Sequence, residues 1–259
     1  MYSNFLNKND YEELEKQETI KEALIILKSK LNNIDNIDDN STREEIERQL
    51  YLILVLDIQK IYPLLNKKGK EMLDIYIDKF RLKYTNGSLI KLEYTNEQNE
   101  FYRQYFSKLY KKAEKYKDKA LIDIIGKQID LYNILWTFRA KKYYKFEDKQ
   151  EQNIPIPIHY KLSSEILDKL NNSQLPPEDI ISKTIYQEFT LEEEKMETEI
   201  QNYLYRLYIN YFKTKSFSLT MIISYIELRQ IQIKNIITII EGIRYKVDTN
   251  TIQKKLIGE

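Results

Sequence analysis

A chain of 259 residues with only 5 glycines and 5 prolines falls well below the roughly 12% that these two residues average together, which argues against a β-sandwich or a Rossmann-type sheet. It has no cysteine and one histidine, His159, so disulfides, thiolate metal sites, a cysteine nucleophile and clustered histidine ligands are excluded and a histidine general base is disfavoured. Its 41 basic residues nearly cancel the 40 acidic ones for a net charge of +1, leaving no overall field to draw nucleic acid or an anionic bilayer.

In chain order, the start Met1-Tyr-Ser-Asn-Phe-Leu-Asn-Lys lacks the basic-then-apolar layout of a signal peptide, and a cytoplasmic protein is expected. The acidic, Asn-rich stretch from Leu31 to Asn40 reads as a solvated loop. Ser41-Thr42-Arg-Glu44-Glu45 offers two overlapping capping boxes, opening a helix that runs to about Tyr62 and stops at Pro63. Its apolar run Leu50 to Leu56 is broken by Asp57, far short of the roughly 20 residues of a membrane helix. Thr95-Asn-Glu-Gln98 opens a second long helix to about Lys117, with Tyr102, Tyr105, Phe106, Leu109 and Tyr110 at helical spacing. Asp118 caps a third, which carries Leu121, Ile124, Ile125 and Ile129 and continues to Phe138.

Asn153-Ile-Pro155-Ile-Pro157-Ile-His159-Tyr160 is expected to be extended, because each proline disfavours helix in the residue before it. The turn Asn171 to Asp179 places Pro177 as a first helical residue. Thr190-Leu-Glu-Glu193 is another capping box, and Ser218 or Thr220 starts a helix ending near Gly242. The whole reads as all-α, built of helical hairpins.

Three segments share a spaced pattern, an acid or amide followed by Ile, then seven residues, then a base followed by Tyr. They are Asp74-Ile75 to Lys83-Tyr84, Asn133-Ile134 to Lys142-Tyr143, and Asn235-Ile236 to Arg244-Tyr245, which suggests a helical unit used three times. At 100° per residue, Leu131, Ile134, Leu135 and Phe138 form a core face while Asp130, Asn133, Thr137 and Ala140 form an adjacent polar stripe. The last repeat gives Ile233, Ile236, Ile237 and Ile240 on the core face, and Gln232, Asn235 and Gly242 on the stripe. The plainest role for such asparagines is a hydrogen bond to a neighbouring helix.

Chemistry-bearing patterns are sparse. The glycines at 69, 87, 126, 242 and 258 are too scattered for a phosphate loop or dinucleotide fingerprint, so no nucleotide binding and no cofactor is expected. Glu192-Glu193-Glu194 and Asp38-Asp39 hold consecutive acids that point to different sides, as in a solvated helix start or loop. The basic pairs Lys111-Lys112 and Lys141-Lys142 are interleaved with acids. His159 reads as a turn residue. The 22 tyrosines sit among abundant Ile, Lys and Asn, a compositional bias more than an interface signal.

The stretch Ile129-Asp-Leu-Tyr-Asn-Ile-Leu-Trp-Thr-Phe-Arg-Ala-Lys-Lys-Tyr143, then His159-Tyr-Lys-Leu-Ser163, then Tyr225-Ile-Glu-Leu-Arg-Gln-Ile-Gln-Ile-Lys-Asn-Ile-Ile-Thr-Ile-Ile-Glu-Gly242 resemble, in order and spacing, the C-type subunit of archaeal and bacterial A/V-type ATPases, the counterpart of the d-type subunit in vacuolar enzymes. The likeness runs from about residue 45 onward. It implies an all-α funnel of three similar helical subdomains around a pseudo-threefold axis, divided here as 1–90 (abbreviated), 91–150 and 151–259. It further implies a non-catalytic rotor adaptor of a proton- or sodium-translocating ATPase, whose partners are the central-stalk shaft subunits and the membrane rotor ring, peripheral at the cytoplasmic face of the membrane. A stand-alone helical scaffold derived from that fold is the alternative, and an all-α enzyme using buried carboxylates a further rival.

Residues assigned to partner binding or to contacts between repeats are Asp74, Asp130, Asn133, Arg139, Lys142, Gln232, Asn235 and Arg244. Several features depart from the family pattern: Gln230 and Gln232 replace two acids before the final Asn, Ile158-His159 stands where a Gly-Gly is common, and the first repeat has Asp74 where the others have Asn.

Overall fold

A computed structural model describes residues 5–31, 34, 36–84, 96–143, 156–172, 175–189, 193–214 and 218–258, giving the backbone alone for 81–84, 96–99, 140–143, 171–172, 177–178 and 193–194. Every regular element among them is helical. Local chemistry sets most of the boundaries. Asn7 and Asp10 form a reciprocal capping box at the head of α1 (Lys8–Glu15), and Thr19 and Glu22 repeat it at α2 (Ile20–Lys30). Thr42 and Glu45 do the same at α3 (Arg43–Ile61), which tightens into a 3₁₀ turn (Tyr62–Leu64) at Pro63.

Then come α4 (Lys67–Tyr84), α5 (Asn96–Tyr116) and α6 (Lys119–Tyr143). The α5–α6 junction is made by Lys117 in the left-handed region, with φ 55°, and by Asp118 Oδ1, which accepts the N–H groups of Ala120 and Leu121 at 3.0 and 3.1 Å. Residues 156–163 are not helical, and α7 (Ser164–Asn172) and α8 (Pro177–Ile181) follow, α8 beginning at Pro177 as its sequence requires. Next are α9 (Glu193–Thr214), α10 (Leu219–Arg244), capped by Ser218, and α11 (Thr249–Gln253). The expected cap at Thr190 lies outside the described residues.

The chain forms two compact units. The first comprises Met1–Leu73, Phe80–Gly87 and Tyr205–Glu259. Its centre is α10, which packs along α3 and also touches α1, α2 and α11. Helix α10 is buried on almost every side, including its isoleucines from Ile222 to Ile243, and Ile46, Leu50, Leu54 and Ile58 are buried on α3, which packs along it, as expected of a helix apolar nearly all round. The second unit comprises Asp74–Lys79 and Ser88–Leu204, with α5 packed along α6 and α7 against α6 and α8. Its core holds Leu109 and Ala113 of α5 and Leu121, Ile124, Ile125 and Ile129 of α6, all fully buried.

Two sequence expectations change. The loop from Leu31 to Asn40 is not wholly solvated, because Leu31, Ile34 and Ile37 are buried; isolated apolar residues in an acidic stretch can still anchor it to a core. On α6 the polar residues Asp130, Asn133 and Thr137 are buried while Leu135 and Phe138 are only half-buried. Periodicity locates a face but not what covers it.

Candidate functional site

The buried polar stripe of α6 comprises Asp123, Gly126, Asp130 and Asn133, at the three- and four-residue spacing that puts side chains on one helix face. A strap of non-helical chain, residues 156–162, lies along it. At one end Asn133 holds Ile156 by both of its backbone groups: Nδ2 donates to the carbonyl at 3.1 Å, and Oδ1 accepts the N–H at 2.7 Å. One helical turn away Asp130 Oδ2 accepts from Lys161 N at 2.9 Å and from the Tyr186 hydroxyl at 2.8 Å. The Tyr160 ring rests on Gly126, where a Cβ would overlap it, and its hydroxyl donates to Asp123 Oδ1 at 2.7 Å. Asp123 also pairs with Lys127 at 2.9 Å.

Asp130 is 0% exposed. Burial pushes its carboxyl up to about 6, against the opposing pull of N–H donors from Lys161, Leu162 and Tyr160 and of the Tyr186 hydroxyl. Burial, followed by the Asp130 charge, raises Tyr186 in turn.

The same device recurs on α10. Asn235 Nδ2 donates to the Ile257 carbonyl at 2.9 Å and Oδ1 accepts the Ile257 N–H at 3.0 Å. The clamped isoleucine stands 22 residues after its asparagine on α10 and 23 after it on α6. Gln232, at the position matching Asp130, accepts the N–H of Leu6 at 3.3 Å. Thus the α10 stripe holds an N-terminal and a C-terminal segment one turn apart. Beside it lies a cavity of about 240 Å³ whose lining includes Leu228 and Ile231 of α10, Tyr205 and Phe212 of α9, and Phe5 and Tyr11 from the start of the chain.

The residues assigned from the sequence to partner binding or contacts between repeats fall into three settings. Asp130, Asn133, Gln232 and Asn235 are buried and spent on backbone groups. Arg139 and Arg244 are partly exposed, Arg139 pairing with Glu197 at 2.6 Å and Arg244 donating to the Ser41 carbonyl at 2.7 Å. Asp74 is exposed on α4, and the side chain of Lys142 lies outside the described residues.

One cluster gave no sequence signal. Asp57 of α3 meets Arg229 of α10 at 3.7 Å and accepts from the Tyr225 hydroxyl at 3.3 Å, with both charged side chains buried. The guanidinium lies 5.9 Å from the Phe5 ring centroid. Asp57 also accepts from Lys60 Nζ at 3.3 Å, three residues along α3, but nothing periodic marks the pair across the two helices.

Among the described residues no group of three or more His, Asp or Glu side chains could hold a metal ion, and no helix is long and apolar enough to cross a membrane. The arrangement ties segments together by neutral amides and single carboxylates. Residues 89–255 match the family model of the ATP synthase (C/AC39) subunit. The matched region contains both asparagines, Asp130 and the strap. No curated protein matches the chain.

Proposed function

The chain belongs to the ATP synthase (C/AC39) subunit family, non-catalytic subunits of V/A-type ATPase complexes, and on that premise we propose that it is a rotor adaptor joining the central shaft to the membrane rotor ring. The family match over residues 89–255 carries this reading. It is supported by a chain that is helical throughout its regular elements and has no helix able to cross a membrane among the described residues, as suits a subunit held peripherally at the cytoplasmic face by its neighbours. The division into three repeats, 1–90, 91–150 and 151–259, belongs to the same proposal, supported by the matching asparagine clamps on α6 and α10. Within it the buried residues Asp130, Asn133, Gln232 and Asn235 hold segments of the subunit together, and the more accessible Asp74, Arg139 and Arg244 stand where partners can reach them.

The test is affinity purification of the tagged full chain from detergent-solubilised membranes of its own cells. Shaft and ring subunits should co-purify in fixed proportion, and removing the chain should uncouple ATP hydrolysis from ion movement. Recovery of the chain with neither, and unchanged coupling without it, would overturn the adaptor reading in favour of a stand-alone scaffold.

A further inference from the structure

The strap of α6 has a two-piece counterpart on α10. On α6 one continuous segment supplies Ile156 to Asn133, Lys161 N to Asp130 and, just before Lys161, the Tyr160 ring. On α10 Ile257 goes to Asn235 and Leu6 N to Gln232, and Phe5, just before Leu6, packs edge-on against Tyr225 and Phe212 with ring centroids 5.5 and 5.9 Å apart. Peptide bonds join the halves of the first strap. Those of the second belong to α1, which follows Leu6, and to α11, which precedes Ile257, and a hydrogen bond links these two helices: Gln253 Nε2 donates to Glu15 Oε2 at 2.7 Å.

We propose that Glu15 is a pH-operated joint of this two-piece strap, neutral when the α11 segment is seated and charged when it lifts. The surroundings of the carboxyl carry the argument. Glu15 is 3% exposed, its Oε1 is buried with no hydrogen-bond partner, and it makes no ion pair among the described residues. It is also the last residue of α1, at the negative end of the helix dipole. A charge held there costs far more than a neutral acid. Neutral Glu15 keeps its tie, since its O–H can donate to the Gln253 carboxamide oxygen once that amide turns over.

Burial raises the Glu15 carboxyl above the ordinary 4.5, against the Gln253 hydrogen bond; the Glu12 charge adds to the rise, and those of Lys16 and Lys8 oppose it. Helix α11 brings no charged side chain. On α2, Lys30 is paired with Asp10 at 2.7 Å, and Lys21, Glu22 and Lys28 are exposed. On α10, Arg229 faces Asp57 at 3.7 Å, Glu241 faces Arg244 at 3.4 Å, Glu227 accepts from Gln230, and Lys234 is exposed. Closure is therefore favoured in full below pH 4.5, and that contribution is lost as pH rises through the raised value. Other holds on the segment do not titrate: Ile252 lies on Gly242 and Ile257 on Asn235. What the joint controls is a local opening of residues 249–258.

The test is hydrogen exchange of the purified full chain between about pH 4.5 and pH 7.5, with rates corrected for their intrinsic pH dependence. Amides of residues 252–257 should lose protection about fivefold as pH rises, the low end of what one unsatisfied buried acceptor costs. The Glu15→Gln chain should show no such loss. Asp10, in which burial is outweighed by the Lys30 hydrogen bond, stays ionised over this range. The exposed change Lys16→Gln removes an opposing charge and should move the midpoint to higher pH. A flat parent profile, or one that survives in Glu15→Gln, overturns the proposal. Equal loss across α10 also overturns it, assigning the effect to global unfolding. Should Glu15→Gln misfold, Lys16→Gln decides, and an unmoved midpoint ends the proposal.

Discussion

Replacing Asn133 by leucine removes both hydrogen bonds that fix Ile156 and leaves its N–H without a partner, while its carbonyl keeps the Ile158 N–H at 2.7 Å. Asn133 is 0% and Ile156 1% exposed, so water cannot take over either group. One orphaned N–H at about 1–3 kcal/mol and one further lost hydrogen bond at about 0.5–1.5 kcal/mol give about 1.5–4.5 kcal/mol. The added apolar burial of leucine offsets about 1–2 kcal/mol of that. The net, centred near about 1.5 kcal/mol, corresponds to a fall in melting temperature of roughly 3–6 °C for a chain of this size.

The assay pairs thermal melts with hydrogen exchange of residues 156–162, whose amides should lose protection first because the strap is released at one end. Asn133→Asp is the control that separates lost bonds from lost volume. It keeps an acceptor for the Ile156 N–H but turns a carboxylate oxygen toward the Ile156 carbonyl in a site without solvent, so it should cost more than leucine at neutral pH. Burial raises the folded pKa of such an acid, so its contribution to stability is present at low pH and lost as pH rises; the Asn133→Asp chain should recover in mild acid while the leucine variant does not. A melting temperature within about 1 °C of the parent for Asn133→Leu, well inside the expected shift, with exchange of the strap unchanged, would refute the clamp as a stabilising device.

Gly126→Ala should destabilise by about 1–3 kcal/mol, because its methyl overlaps the Tyr160 ring. Adding Tyr160→Ala should make the two effects non-additive, and simple additivity in a double-mutant cycle would count against that contact. Asp130 has a folded pKa of about 6 against an ordinary 3.8, so its protonation favours the folded state, an effect complete below pH 3.8 and lost as pH rises through 6. Denaturant melts should therefore show the parent losing about 1.4 kcal/mol relative to Asp130→Asn between about pH 5 and pH 7.5, and a pH-independent difference would be the contrary result. Arg229→Met should cost about 1–3 kcal/mol, since the buried Asp57 carboxylate loses one partner but keeps Lys60 and the Tyr225 hydroxyl, each at 3.3 Å, whereas Arg229→Met with Asp57→Leu should recover most of it; equal losses in the single and double variants would deny the pair its coupling.

Helix positions were largely legible from the sequence, since caps such as Thr42 with Glu45, Asp118 and Ser218 act within one turn of their own residue. The same rule marks α1 and α2 through Asn7 with Asp10 and Thr19 with Glu22, but these are helices of only 8 and 11 residues with short apolar runs. The repeat pattern brought Asn133 and Asn235 forward together, but as partners of a neighbouring helix. Their real partners are backbone groups of Ile156 and Ile257, and a side chain that binds distant backbone leaves no mark on the identity of the residue it holds. For the same reason the sequence places Asp130 on the polar stripe without showing that the strap covers it, because the Lys161 N–H it accepts is a backbone group. The Asp57–Arg229 pair was illegible because charge alone does not say which of many lysines, arginines and acids is buried.

The composition of the first unit bears on how the chain is made at the ribosome. Helices α1 to α3 are synthesised first, yet the helix they pack around, α10, starts at Leu219. At roughly 5–20 residues per second, the stretch from Leu73 to Leu219 takes about 7 to 30 s to appear. Throughout that interval the faces of α2 and α3 carrying Leu24, Leu27, Leu50 and Leu54 have no α10 to cover them, while most of the second unit is already emerging as nearly continuous chain. The nascent polypeptide therefore passes through a stage in which its later-synthesised middle can fold while its beginning waits with apolar surface exposed, the stage at which chaperone capture and aggregation compete for it.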